Sequence, residues 1–169
     1  MSDDEELEAA VTAALDATGV DYELVACDPD LADTAEFCEH YGYPLDHSGN
    51  CIVVASKTEP REYVACVVLA TTRLDVNRVA RKRMGVRKAS FASADETREL
   101  TGMAIGGVTA VALPPGLPLW VDSRVMDLDY VILGGGSRSQ KVKASPEVFR
   151  HTPDTEVVEG LATEPPEPG

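Results

Sequence analysis

Apolar positions along this chain follow two rhythms. Near the start, Leu7, Val11, Ala14 and Leu15 recur at helical spacing behind a Ser2/Glu5 capping box, and Gly19 stops the run. Residues 22–27 read as a strand that Asp28-Pro29 breaks, and residues 34–41 read as a helix ending at Gly42. Residues 51–56 and 63–70 are β-rich and flank Lys57-Thr58-Glu59-Pro60-Arg61, which predicts a hairpin. Val76, Val79, Ala80 and Met84 form the stripe of an amphipathic helix that Gly85 closes. Residues 86–91 read as a short strand. Ser93 and Glu96 form a second capping box, opening a helix that runs to Thr101. Strands are predicted near 108–113, 119–121, 130–133 and 141–143. Ser145 then caps a last helix with Pro146 at its first position. Strands and helices alternate irregularly, and no linker or repeat divides the chain. The pattern predicts one α+β domain over residues 1–162, followed by a disordered acidic, proline-rich tail over 163–169.

Composition narrows the classes. A chain of 169 residues with 44% hydrophobic content suits a single packed domain, not a disordered one. Aromatics are 5%, so Val, Leu, Ile and Ala must build the core; Trp120 is expected there. No apolar run approaches the ~18 residues of a membrane helix. The acidic N-terminus lacks the basic flank of a secretory signal, so a cytoplasmic location is expected. Cys27, Cys38, Cys51 and Cys66 form no CxxC pair and are expected to be buried free thiols. His40, His47 and His151 are scattered without metal-ligand spacing.

Charge adds two features. The net charge is −14, with 15 Lys and Arg against 29 Asp and Glu. Such self-repulsion calls for screening salt, so the chain reads either as a halophilic cytoplasmic protein or as an ordinary acidic one. Against that background Arg78, Arg81, Lys82, Arg83, Arg87 and Lys88 crowd together, and Arg78, Arg81 and Lys82 share a helix face away from the apolar stripe. They read either as a phosphate-facing patch or as a solvated face paired with carboxylates. Lys143 reads as a solvated strand-end charge.

Two glycine-rich turns, Gly106-Gly107 and Gly134-Gly135-Gly136, flank short β runs, with Asp122-Ser123 between them. Glycines at strand ends allow the backbone to approach a ligand closely. Together with the Asp28-Pro29 break, the paired β runs, Leu74-Asp75 and Thr101-Gly102, this order resembles the YbaK/prolyl-tRNA-synthetase-associated family over residues 11–162. The resemblance implies a central mixed, partly barrel-like sheet surrounded by helices. It also implies hydrolysis of wrongly charged tRNA without metal or organic cofactor, and tRNA as partner with a synthetase as a further one.

The resemblance also implies a site. The family's lysine before the first central β run falls at Asn50, which keeps a hydrogen-bond donor but no charge. The family's Gly-Gly-x-x-Pro loop matches Gly106-Gly107-Val108-Thr109-Ala110, with alanine replacing the proline. A position that often carries aspartate is Lys141, either a relocated pocket charge or an independent surface change. Asn50, Gly106, Gly107, Thr109 and Ala110 are the expected catalytic positions. The Gly107 turn is expected to supply backbone donors for a tetrahedral oxyanion. Asp122, Gly135, Gly136, Ser137 and Lys141 are the expected substrate contacts, although Asp122, Thr109 and Ser137 also suit plain turn roles. A catalytically silent binding module that kept the fold is the competing reading, favoured by the changes at 50 and 110. An accessory subunit docking on a synthetase is a third.

Overall fold

A computed structural model describes residues 3–104 and 106–164. Helix α1 (Asp3–Thr18) begins with four acidic residues, which suit the positive end of a helix dipole, and Gly19 closes it at φ 72°. Ser2, half of the proposed first capping box, lies outside the described residues. Strand β1 (Tyr22–Ala26) is followed by a 3-10 turn at Pro29–Leu31, capped by the Asp28 carboxylate, and by α2 (Thr34–Tyr41). The predicted hairpin is β2 (Gly49–Ser56) against β3 (Tyr63–Leu69), paired antiparallel from Gly49↔Leu69 to Ala55↔Tyr63.

Two-residue β4 (Arg73–Leu74) leads to a π-type turn at Val76–Ala80 that continues as α3 (Arg81–Met84). Next come β5 (Ala89–Phe91) and α4 (Ala94–Thr101), whose Ser93/Glu96 capping box is fully formed. The chain ends with β6 (Leu119–Asp122), β7 (Val131–Gly134), β8 (Gln140–Ala144), β9 (Thr155–Val158) and β10 (Ala162–Thr163).

The strands form a five-stranded mixed sheet in the order β5-β2-β3-β6-β9, a three-stranded antiparallel sheet β1-β8-β7, and the pair β10-β4. An isolated parallel bridge, Ser48↔Ile132, joins the first two sheets. The largest core lies between them and gathers residues from Val11 on α1 to Phe149 near the end, so the described chain packs as one domain. A second core on the other face of the five-stranded sheet is covered by Val76, Val79 and Met84, the predicted amphipathic stripe. A third packs Phe37 of α2 with Cys27, Cys38 and Ile132.

Several expectations are corrected. Residues 108–113 form no strand; they are a buried loop leading into Pro114-Pro115, and their apolarity reports burial, not pairing. The last predicted helix is a 3-10 turn, Pro146–His151. Strands β9 and β10 were not anticipated, and Thr163, assigned above to the tail, pairs with Arg73. Residues 165–169 of that tail lie outside the described ones. Trp120 is half-buried, with the Arg83 guanidinium 5.1 Å from its ring centre. Lys143 sits in mid-strand, its Nζ 4.6 Å from the Tyr130 ring centre. Cys27, Cys38 and Cys66 are buried, Cys51 is half-buried, and all four are free.

Candidate functional site

The open edge of β2 makes the site. The Ser48 carbonyl accepts from Ala70 N–H on the β3 side, and the Val53 carbonyl accepts from Ala92 N–H on the β5 side. Backbone polar groups alternate sides along a strand, so odd positions of β2 point away from β3. Pairing with β5 covers only Val54 to Ser56, and β7 meets this edge only at Ser48. Between these contacts the N–H and C=O of Cys51 have no strand partner among the described residues.

A cavity of about 260 Å³ lies along that edge. Its walls are Asp33 at the N-cap of α2, Thr34 and Phe37 from α2, Ser48, residues 49–53 of β2, Ala92, Thr97, Gly106, Val108, Ile132 to Gly134, and Lys141. The lining is mostly apolar, with a few polar groups, as suits binding of a small acyl group.

Three of the sequence-derived site residues meet here: Asn50, Gly106 and Lys141. Thr34 Oγ1 donates to Asn50 Oδ1 at 2.7 Å, which turns the Asn50 Nδ2 donors away from Thr34. Lys141 is 6% exposed, so it is not a surface change. Its Nζ donates to the Gly106 carbonyl at 2.8 Å and lies 5.5 Å from the Phe37 ring centre. Among the described residues no carboxylate lies within ion-pair distance of it. Burial pushes its pKa down. An ammonium has three donors, and one is spent on Gly106. Asp33 is held over Gly106 by Arg138, whose Nη1 lies 3.1 Å from Asp33 Oδ1.

The other expected site residues lie elsewhere. The Gly107 N–H donates to the Ala104 carbonyl at 2.9 Å, and the Gly107 carbonyl accepts from Gly136 N–H at 2.8 Å. Gly107 is therefore not a ready oxyanion donor. A Cβ there would come within 2.7 Å of the Ser137 backbone, so glycine is required by loop-on-loop packing. The next residue, Val108, lines the cavity, and its N–H has no backbone acceptor among the described residues. Thr109 and Ala110 are fully buried behind the wall; Ala110 belongs to the main core, and Thr109 Oγ1 has no hydrogen-bond partner among the described residues.

In the second glycine turn only Gly134 faces the cavity, and a Cβ on it would come within 2.1 Å of the Val108 carbonyl. Gly135 packs on Gln140, and Gly136 packs on Leu7 and Val11 of α1. Ser137 donates to Glu8 Oε1 at 2.6 Å, tying this turn to α1. Asp122 is 1% exposed and away from the cavity. Its Oδ1 accepts from Arg124 N–H at 3.0 Å and its Oδ2 from Ala162 N–H at 2.9 Å, so it anchors β10 as well as capping a turn. The α2 residues of the wall and the β2 edge were missed. Phe37 resembles any core aromatic in sequence, and an unpaired strand edge has no sequence signature.

Arg78, Arg81 and Lys82 line a second concavity together with Lys57, Asn77, Arg87, Lys88 and Ala89. Among the described residues none of these six cations has a carboxylate within ion-pair distance. Arg83 leaves the cluster to pair with Glu156. The patch is thus an unneutralised cationic groove, not a salt-bridged helix face.

Comparison with known proteins decides the family. The aminoacyl-tRNA editing domain matches residues 28–152, which hold the cavity and the groove. The chain belongs to the aminoacyl-tRNA editing domain family. Two solved structures share the fold of this editing domain. One, described as a candidate trans-editing enzyme for prolyl tRNA synthetase, has a TM-score of 0.77 at 24% identity, covering 94% of this chain and 97% of that one. The other, hypothetical protein APE2540, has a TM-score of 0.80 at 27% identity, covering 90% and 99%. Among the described residues of the editing domain no helix is long and apolar enough to cross a membrane. Nor do three or more metal-ligating side chains cluster among them.

Proposed function

We propose that this editing domain hydrolyses the ester linking a wrong amino acid to tRNA, acting on the free aminoacyl-tRNA. The observation that carries the reading is the buried Lys141 side chain, which together with Asn50 lines an acyl-sized cavity at the open β2 edge. An aminoacyl ester is already activated, so its hydrolysis needs a positioned water and stabilisation of charge on the carbonyl oxygen. Water adds to the acyl carbon as the C=O electrons move onto oxygen; collapse of the intermediate re-forms the C=O and expels the ribose oxygen, which takes up the proton that the attacking water gives up. Lys141 Nζ, Asn50 Nδ2 and the Val108 N–H are the donors available to that oxygen, in a site where burial strengthens their field. The Cys51 carbonyl suits the substrate's α-ammonium. In this reading Lys141 takes over the charge that the YbaK resemblance places at position 50.

One observation favours a silent binding module instead: the Gly107 N–H is already committed to Ala104. The two readings separate on a panel of mischarged tRNAs in molar KCl. Release of the amino acid above the spontaneous rate supports the deacylase. Saturable binding of aminoacyl-tRNA without release supports the binding module.

A further inference from the structure

Strand β5 connects the cationic groove to the cavity within four residues. Ala89, beside Lys88, lines the groove, and Ala92, just past the strand, lines the cavity. Between them Phe91 is 53% exposed, a large aromatic on an edge strand. Phe91 stands opposite Val54 and Ala89 opposite Ser56, so their side chains leave the sheet on one face. Val54 and Ala89 pack in the second core with Val76, Val79 and Met84, so that face also carries the helix bearing Arg78, Arg81 and Lys82. Two residues along a strand span about 7 Å. Phe91 is thus one short step from the groove and the immediate neighbour of the cavity rim.

We propose that Phe91 is a stacking platform for an unpaired base at the 3′ end of the RNA, and that the Lys57–Arg78–Arg81–Lys82–Lys88 groove holds the phosphates leading to it. The inference rests on the reading of this protein as an aminoacyl-tRNA deacylase and assigns the path by which the 3′ strand reaches its cavity. Two independent features carry it. Among the described residues the groove cations have no carboxylate within ion-pair distance, in a chain of net charge −14 where carboxylates are plentiful. The exposed ring lies on the groove's own face, at the point where the strand reaches the cavity. Aromatic faces accept any base, and cations accept any phosphate, so the path is read by shape and charge, not by sequence. In high salt the groove contributes less while the neutral stack keeps its contribution.

The test uses the full chain and an uncharged, fluorescein-labelled acceptor-stem hairpin RNA with a short unpaired 3′ end, with the same hairpin made blunt as control. Kd is measured by anisotropy across a KCl series. Phe91→Ala should weaken binding of the unpaired-end RNA about tenfold, by the same factor at every salt concentration, and leave the blunt RNA unaffected. Phe91→Trp should restore binding. Lys57→Ala, Arg78→Ala or Lys88→Ala should weaken both RNAs and reduce the salt slope by about one each. An unchanged Kd in Phe91→Ala, or an equal loss on the blunt RNA, overturns the proposal. Hydrolysis is scored separately. Phe91-dependent RNA binding without ester hydrolysis removes the deacylase reading and leaves this path standing. Hydrolysis with no Phe91 dependence in binding removes this path alone.

Discussion

Replacing Lys141 by methionine removes the cavity's buried charge while nearly keeping its shape. Stabilisation of a developing oxyanion by one donor is typically worth 10²–10³ in rate, or about 3–4 kcal/mol. The variant also loses the Nζ bond to the Gly106 carbonyl, a charged hydrogen bond worth about 1.5–3 kcal/mol. Against that loss it is spared the cost of burying an ammonium, whose sign is visible in the depressed Lys141 pKa. These two contributions oppose, so Tm should stay within about 4 °C of wild type for a chain of this size. The folded protein binds the Lys141 proton less tightly than the unfolded chain does. Wild-type stability should therefore gain from Lys141 as pH rises from its depressed folded value toward the ordinary lysine value, and Lys141→Met should lack that gain. If the ammonium is the working form, wild-type kcat should fall as pH rises through the same depressed value. The assay is single-turnover release of the amino acid from mischarged tRNA in molar KCl, with a parallel melt. A folded Lys141→Met variant that keeps more than a tenth of wild-type kcat would refute the charge-relocation argument.

Four further outcomes are expected. Asn50→Lys places a second ammonium in the same cavity and should add no activity, whereas Asn50→Lys combined with Lys141→Asp should recover activity that Lys141→Met loses; single-turnover rates decide this. Asp122→Ala should strand the Arg124 and Ala162 amides at a cost of about 2–4 kcal/mol, read as a Tm fall of roughly 5–15 °C, while kcat per folded molecule is unchanged. Gly107→Val should destabilise the protein by driving a side chain into the Ser137 backbone, so a normal melt for this variant would show that the two loops are not packed as described. Tm should rise from low to molar KCl, because ~1 M salt shortens the screening length to about 3 Å for a chain of net charge −14.

The fold was legible wherever local chemistry acts alone. The Ser93/Glu96 box, the closing glycines at 19, 42, 85 and 102, and the Val76-to-Met84 stripe all place elements by short-range rules. Residues 108–113 misled because apolar content does not distinguish a buried loop from a strand. Strands β9 and β10 escaped because each is stabilised by distant partners, β6 and β4, and not by its own pattern. Motif order picked out Asn50, Gly106 and Lys141, which line one cavity. The turn at Gly135 to Ser137 was placed one step too far along the chain: Gly134 faces the cavity, and its followers face α1. Asp122 looked like a ligand because a buried carboxylate and a catalytic one look the same in sequence, and only its two backbone amides reveal its anchoring role.

The most direct measurement is the rate at which the wild-type protein, in molar KCl, frees amino acid from each mischarged tRNA of a panel, set against the spontaneous rate and against correctly charged tRNA. The account predicts that at least one mischarged tRNA is hydrolysed well above the spontaneous rate while its correctly charged counterpart is spared. Spontaneous rates across the whole panel, with aminoacyl-tRNA still bound, would contradict it and identify the cavity as a binding site only.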